Sequence, residues 1–183
     1  MDRVDDQRRF FVLASAVCEV ALPIFRQRVK NHFTSLGFQD LKSFLNHQPV
    51  LHQLFHLRYK DRHCCSDRQN CYNHPYHFLY YNQWMELYET LPSKNCESLC
   101  HCNYRALDIE LEEIEMPFAG LIVTDMCNLL PNELSAIEEI AHFRHNFLTH
   151  NGEGRINDFE FDQLWEDMVK NILTLDSLRK TSL

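Results

Sequence analysis

The chain has 183 residues, 45% of them hydrophobic, with a formal net charge of −8 and only four glycines and six prolines. That is enough chain for one domain with a real core, and too little glycine and proline for long flexible linkers. No uninterrupted run of about 18 apolar residues offers a membrane span, the charged start MDRVDDQRRFF lacks a signal-peptide core, and the negative charge argues against broad nucleic-acid binding. A single domain over 1–183 in a cytosolic or nuclear setting, most simply cytoplasmic and with no membrane partner, is expected.

The first element predicted is a helix from Asp5 to about Phe33. Phe11, Ala14, Ser15, Cys18, Leu22, Phe25 and Val29 recur at three- and four-residue steps, and Pro23 is expected to kink it. Gly37 ends the segment, and Leu41–Leu45 adds a turn or two. Pro49 opens the next helix, with Leu51, Leu54, Phe55 and Leu57 turned inward. His47, His52 and His56 lie on or near it. His52 and His56 are four apart, a spacing that can grip a metal. No glutamate sits between them, so the metalloprotease pattern is absent, and they are expected to be exposed or hydrogen-bonded.

Eight cysteines are many for such a chain. Cys18 and Cys127 sit in apolar helical runs and are expected to be buried. The other six fall in two loops, HCCSDRQNCYNHPYH (His63–His77) and CESLCHC (Cys96–Cys102), separated by a short helix from Gln83 to Thr90 around Trp84. Neither loop can fold by apolar burial. In a reducing compartment this pattern favours a metal over disulfides. Structural zinc combines about four thiolate and imidazole ligands from two short loops. Cys65, Cys71, Cys100 and Cys102 are the preferred four; Cys64, Cys96 and His74 can replace one of them or serve a second ion. Four protein ligands leave no open position, so a structural ion is expected and no catalytic one. Residues 61–103 are thus predicted as a zinc-binding insert.

Beyond the insert, Tyr104–Met116 reads as a helix with an acidic outer face. Pro117 is expected to break it, and Phe118–Leu130 to form an apolar, buried helix. A final helix is predicted from Asn157, with Glu160 completing a cap pair and Phe161, Leu164, Trp165, Met168, Val169, Ile172 and Leu173 inward. No stretch alternates like a strand, so the fold class is all-α. Charge is uneven: Asp108–Asp167 holds 15 acidic and two basic residues, a balance of −13. Arg26, Arg28, Lys30, Arg58, Lys60 and Arg62 are the cations available elsewhere to attract an anionic ligand.

Between these elements lies SAIEEIAHFRHNFLTHN, Ser135–Asn151. Ser135 with Glu138 reads as a capping box at its start, and Asn151-Gly152 as a left-handed cap at its end. At about 100° per residue, Ile137, Ile140, Ala141, Arg144 and Leu148 share one stripe, widened by Phe143 and Phe147. An arginine there is unusual, since an unpaired buried charge is costly; a salt bridge to Asp108 or Glu138 is the plain structural explanation. The functional one joins Arg144 to His150 in the last turn. A cation for a phosphorane and a group that exchanges protons near neutrality are the parts that cleave RNA without a metal. On an ideal helix the two lie about 120° apart, so a cleft shared by two copies of this helix would aim both at one phosphate.

Arg144-His145-Asn146-Phe147-Leu148-Thr149-His150 resembles the arginine, four-to-six residues, histidine motif of HEPN domains. LDIEL (Leu107–Leu111), the apolar run to Leu130, the motif helix and NDFEFDQLW (Asn157–Trp165) follow in the order seen in HEPN domains of the DAZ-interacting-protein type. The likeness is best from Tyr80 to about Leu175. It implies a HEPN-like helical bundle. It also implies a homodimer packed through the motif helix and metal-independent endoribonuclease or RNA-binding activity that leaves a 2′,3′-cyclic phosphate. His150 would handle a proton and Arg144 would steady the phosphate. Many members carry asparagine directly after the arginine; here His145 intervenes, so His145 or Asn146 takes the assisting role. The alternative is a HEPN-derived module in a signalling or innate-immune protein that dimerises or docks protein partners and cuts nothing. The acidic segment around the motif favours it. A ubiquitin-ligase module is not supported by the cysteine spacing.

Overall fold

Apolar spacing at helical steps dominates the sequence, and helix dominates the structure. The computed structural model describes residues 3–59, 64, 78–92 and 103–176. The chain forms two units, Met1–Val29 with Glu115–Leu183, and Lys30–Ile114.

In the first unit, α1 (Arg3–Ser15) runs through a π-helical stretch, Ala16–Ala21, into α2 (Leu22–Ser35). The wide turn has a cause in the sequence. Pro23 lacks an N–H and its ring clashes with the carbonyl four residues back in a regular helix. Just ahead of it, the Leu22 N–H reaches the Val17 carbonyl, five residues back, and opens the turn. The predicted kink is therefore an expanded turn. Leu13, Val17, Ala21, Phe25 and Val29, four apart, are buried. This run contains an 18-residue window of mean hydropathy 1.5, long and apolar enough by length and composition to cross a membrane, contrary to the count of uninterrupted apolar residues. A core helix passes the same test, and a third of the window is buried here. Cys18 is exposed, against expectation: it lies off that row, at the start of the exposed stretch Cys18–Val20.

Among the described residues this unit holds three more helices, α6 (Met116–Met126), α7 (Pro131–Phe143) and α8 (Asp158–Asp176), numbered after the three helices of the second unit given below. Pro117 lies in the first turn of α6, where its missing N–H costs nothing, so it starts that helix and does not break an earlier one. Met116, Phe118–Val123 are buried, matching the expected core helix. α7 packs on α6 and α8, and α8 also meets α1. Asn157 caps α8 as predicted, its Oδ1 accepting from the Glu160 N–H at 3.0 Å. The inner face of α8 differs from the predicted stripe. Met168, Asn171 and Leu175 are buried, whereas Trp165 and Leu173 are exposed. Asn171 holds its inner position by donating to Glu139 at 2.8 Å, a partner on another helix that periodicity cannot show.

A buried ion pair ties the unit together. Glu133, 3% exposed, faces the Arg28 guanidinium of α2. Arg28 also donates to the Leu175 carbonyl at 2.9 Å, and Glu133 accepts the Leu130 N–H at 2.7 Å. At the surface Arg9 pairs with Asp158 at 2.6 Å.

The second unit contains α3 (Leu41–Leu45) and α4 (Gln48–Arg58), close to their predicted places, and α5 (Tyr81–Leu87), which starts two residues before the predicted Gln83–Thr90 helix and ends at Leu87, the predicted last turn Tyr88–Thr90 being strand. Asp40 caps α3, accepting from the Ser43 N–H at 2.6 Å. That bond and the Ser43 hydroxyl hold the Asp40 carboxyl below the ordinary carboxylate range. Leu51, Leu54, Phe55 and Leu57 of α4 are buried as the pattern requires. The predicted Tyr104–Met116 helix does not form. Tyr104–Ala106 (β2) pairs antiparallel with Tyr88–Thr90 (β1), in the register Tyr88 with Ala106 and Thr90 with Tyr104. A short 3₁₀ turn follows at Leu111–Glu113. The sheet is set by an aromatic core that the sequence brings together from afar. Trp84 stacks on Tyr88 at 4.4 Å between ring centres and meets Tyr104 edge-on at 4.9 Å. The buried Tyr88 hydroxyl donates to the Leu45 carbonyl at 2.9 Å, and burial raises its proton affinity.

Candidate functional site

The motif region is built by α7 and the π-helical turn that continues it, Arg144–Thr149. Ser135 was expected to cap the helix, but the helix begins one turn earlier. Pro131 supplies a preset φ in the first turn, and the Glu133 carboxylate satisfies the Leu130 amide. Ser135 lies inside the helix and donates to Glu139 at 3.1 Å. Ala136, Ile137, Ile140 and Phe143 are the buried face; Ala141, placed on the stripe by the sequence, is exposed. Arg144, placed on the stripe by the sequence, is half-buried, as are Phe147 and Leu148 after it. Neither Asp108 nor Glu138 bridges it. Asp108 pairs with Lys42 at 3.4 Å, and Arg144 has no ion pair among the described residues.

The π turn changes which side chains meet. In a regular helix residues three and four apart are neighbours and residues five apart diverge. Here the turn is closed by bonds five residues apart, and His145 and His150 come together. Their Nε2 atoms are 3.3 Å apart, with ring centres at 4.7 Å and planes nearly perpendicular. The Thr149 hydroxyl donates to the Arg144 carbonyl at 3.3 Å, again five apart. A contact between two imidazole nitrogens requires one to carry the hydrogen and the other to offer a lone pair. The pair thus presents a proton donor and a proton acceptor side by side, both exposed, with His145 next to Arg144 in the chain.

Asn146 does not join that pair. Its Nδ2 lies 2.7 Å from Nε2 of His142, one turn back. His142 was not singled out by the sequence, although its place four residues before Asn146 on a helix was the available signal. Phe143 and Phe147 stack at 5.2 Å. Beyond His150, Asn151 organises the exit: its Oδ1 accepts from the Gly154 N–H at 3.0 Å, and its Nδ2 donates to the Arg155 carbonyl at 2.7 Å. The left-handed residue is Gly154, with φ +61°, and not Gly152. The end of the motif is thus fixed by an asparagine loop.

A groove of about 540 Å³ runs between α7 and α8. Ile140, Phe143, Phe147, Leu164 and Met168 form its apolar part, and Glu138, Glu139 and Asp167 its acidic part.

A second cluster stands in the other unit. His52 and His56 of α4 meet Cys64, with Cys64 Sγ 3.0 Å from His56 Nε2 and 3.4 Å from His52 Nδ1. The three donor atoms lie within 4.8 Å of one another, and His56 and Cys64 are buried. These residues can coordinate a metal ion. The two histidines expected to be exposed or merely hydrogen-bonded are thus joined to the one predicted ligand, Cys64, that the structure describes. Cys65, Cys71, His74, Cys96, Cys100 and Cys102 lie outside the described residues, as does most of the predicted 61–103 insert.

Comparison with protein-family models, with curated proteins and with solved structures finds no match.

Proposed function

We propose that this chain is a HEPN-type, metal-independent endoribonuclease that acts as a homodimer through its motif helix. The observation that carries the reading is the π turn at Arg144–Thr149, which brings His145 and His150 into contact in the segment that opens with Arg144, a cation with no ion pair among the described residues. Local π turns are frequent at functional sites, and a cation left without a carboxylate is available for a phosphate. In the reaction, one imidazole takes the proton of a ribose 2′-hydroxyl as its oxygen attacks the adjacent phosphorus. The other gives a proton to the departing 5′-oxygen. Arg144 stabilises the charge that gathers on the phosphorane oxygens. The products are a 2′,3′-cyclic phosphate and a 5′-hydroxyl. The cysteine- and histidine-rich part of the chain holds a structural zinc ion in this reading. Such thiolate ligation suits a cytoplasmic protein.

The test is cleavage of a labelled mixed-sequence RNA in EDTA-containing buffer, with wild type beside Arg144→Ala and His150→Ala. Wild type alone is expected to cut, leaving cyclic phosphate ends. Mixing the two dead variants tests the shared cleft. If each cleft takes its arginine from one protomer and its histidine from the other, half the dimers are mixed and each has one intact cleft. About a quarter of wild-type activity should then return. Cleavage that persists in both variants defeats the assignment.

A second reading is favoured by one observation, the acid-rimmed groove between α7 and α8, which suits a protein ligand better than RNA. No cleavage by folded wild-type protein selects that non-catalytic interaction module.

A further inference from the structure

The buried His52–His56–Cys64 cluster calls for its own explanation. α4 presents His52 and His56 one turn apart on a single face, their ring centres 4.7 Å apart. Cys64 returns to that face with its sulfur between two ring nitrogens. The helix is buried along this stretch: Leu51, Leu54, Phe55 and Leu57 are all buried, and the Phe55 ring meets that of His56 at 5.5 Å between centres. Polar groups in such a place are costly unless they are bonded or hold a metal.

The spacing can be compared with what an ion requires. Zinc binds thiolate sulfur at about 2.3 Å and imidazole nitrogen at about 2.0–2.1 Å in a tetrahedron, which puts a sulfur and a nitrogen about 3.6 Å apart. The observed separations are 3.4 and 3.0 Å. Opening the tighter side by roughly half an ångström brings both sulfur–nitrogen edges to that spacing, and the two nitrogens lie within 4.8 Å of one another, where the same tetrahedron puts them about 3.4 Å apart. Two imidazoles and a thiolate are borderline-soft donors, matched to zinc and not to magnesium or calcium, which take oxygen ligands.

We propose that His52 (Nδ1), His56 (Nε2) and Cys64 (Sγ) are three ligands of a structural zinc ion that pins the last turns of α4 to the chain beyond it. This names ligands for the zinc proposed above, two of which the sequence set aside, and it does not depend on the ribonuclease reading. With His56 and Cys64 only 5% and 2% exposed, the ion is screened from substrate and serves the fold.

The experiment uses the full chain purified without chelator, with zinc measured by mass spectrometry in wild type, Cys64→Ser and His56→Gln. Wild type should carry zinc, and each variant should lose one equivalent. X-ray absorption at the zinc edge of the wild type gives a test even where a variant fails to fold; the expected first shell holds two imidazole nitrogens beside sulfur, and a shell with fewer than two nitrogens counts against this ligand set. Unchanged zinc in both folded variants, or a shell of sulfur alone, overturns this ligand set while leaving bound zinc standing. A wild type that neither carries zinc nor takes it up on titration overturns both. Cleavage in EDTA is scored separately, so neither failure is confused with failure of the nuclease.

Discussion

Glu133→Leu is expected to be among the most damaging single substitutions in the first unit. Glu133 is 3% exposed and its carboxylate has two duties. It neutralises Arg28, and it accepts the Leu130 N–H where α7 begins. Removing one member of a buried ion pair costs about 3–5 kcal/mol, because the other charge stays behind in a poor solvent. The Arg28 side chain is 21% exposed, so water recovers part of that, and about 3 kcal/mol is the better figure. The orphaned Leu130 amide adds about 1 kcal/mol. A total near 4 kcal/mol is a large share of the 5–15 kcal/mol typical of a domain. With a urea slope of about 2 kcal/mol/M, the midpoint should fall by roughly 2 M. Arg28→Met combined with Glu133→Leu should recover about half the loss, since the stranded charge is gone, although the Leu175 carbonyl then lacks its donor. Urea titrations followed by circular dichroism measure all three variants. A Glu133→Leu protein within about 1 kcal/mol of wild type, or a double mutant no better than the single, would show that the pair does not hold these helices together.

Asp40→Ala should cost about 1 kcal/mol by removing the α3 cap. Its carboxyl is held below the ordinary value of 3.8, chiefly by the Ser43 N–H. The contribution is therefore complete above that value and disappears as pH falls through the lower folded value. Wild type and variant should differ at pH 7 and converge in acid; a gap independent of pH down to the acid transition refutes the cap. Cysteine alkylation gives a further check. Burial pushes the Cys127 thiol up to about 11, against a smaller opposing effect of Arg28, whereas Cys18 is exposed. Peptide mapping after a short pulse of iodoacetamide at pH 8 should find Cys18 modified well ahead of the half-buried Cys127, and the difference should vanish in denaturant. Equal labelling of the two in the folded protein would contradict the packing of α6.

Helices that bury one local stripe were legible in the sequence. α4 and α6 appear where Leu51, Leu54 and Phe55, and Phe118–Val123, place them, because their period of burial is written into adjacent residues. The errors occur where a distant partner decides. Tyr104–Ala106 has the local look of a helix start, and only Tyr88–Thr90, some fifteen residues earlier, makes it a strand. Trp165 and Leu173 look like core residues by spacing, yet Asn171 takes the inner position because Glu139 bonds it. At the motif, the residues were legible and their geometry was not. A projection at 100° per residue separates His145 from His150, and the π turn unites them. For the metal-capable cluster, the i, i+4 histidine pair was visible, but its partner Cys64 could be joined to it only by the fold.

The charge of the motif region bears on whether RNA can approach. Counting side chains between Asp108 and Asp167 suggests uniform repulsion, but the acids are not equivalent. Glu133 is neutralised by Arg28, and Asp158 by Arg9. Glu139 accepts from Ser135 and Asn171. Glu138, Glu139 and Asp167 gather along the groove between α7 and α8, whose lining includes His142, Phe143 and Phe147 but not Arg144, His145 or His150. At physiological salt, exposed charges act over about 8 Å. Glu138 and Glu139 precede Arg144 by six and five residues, about 9 and 7.5 Å along a helix, so the acids nearest to it on its own helix stand near the limit of that range, while His145 and Asn146 follow it directly in the chain. The same segregation gives the groove a separate character: an apolar floor with an acidic rim. Net charge thus argues against broad RNA affinity without arguing against cleavage at one phosphate.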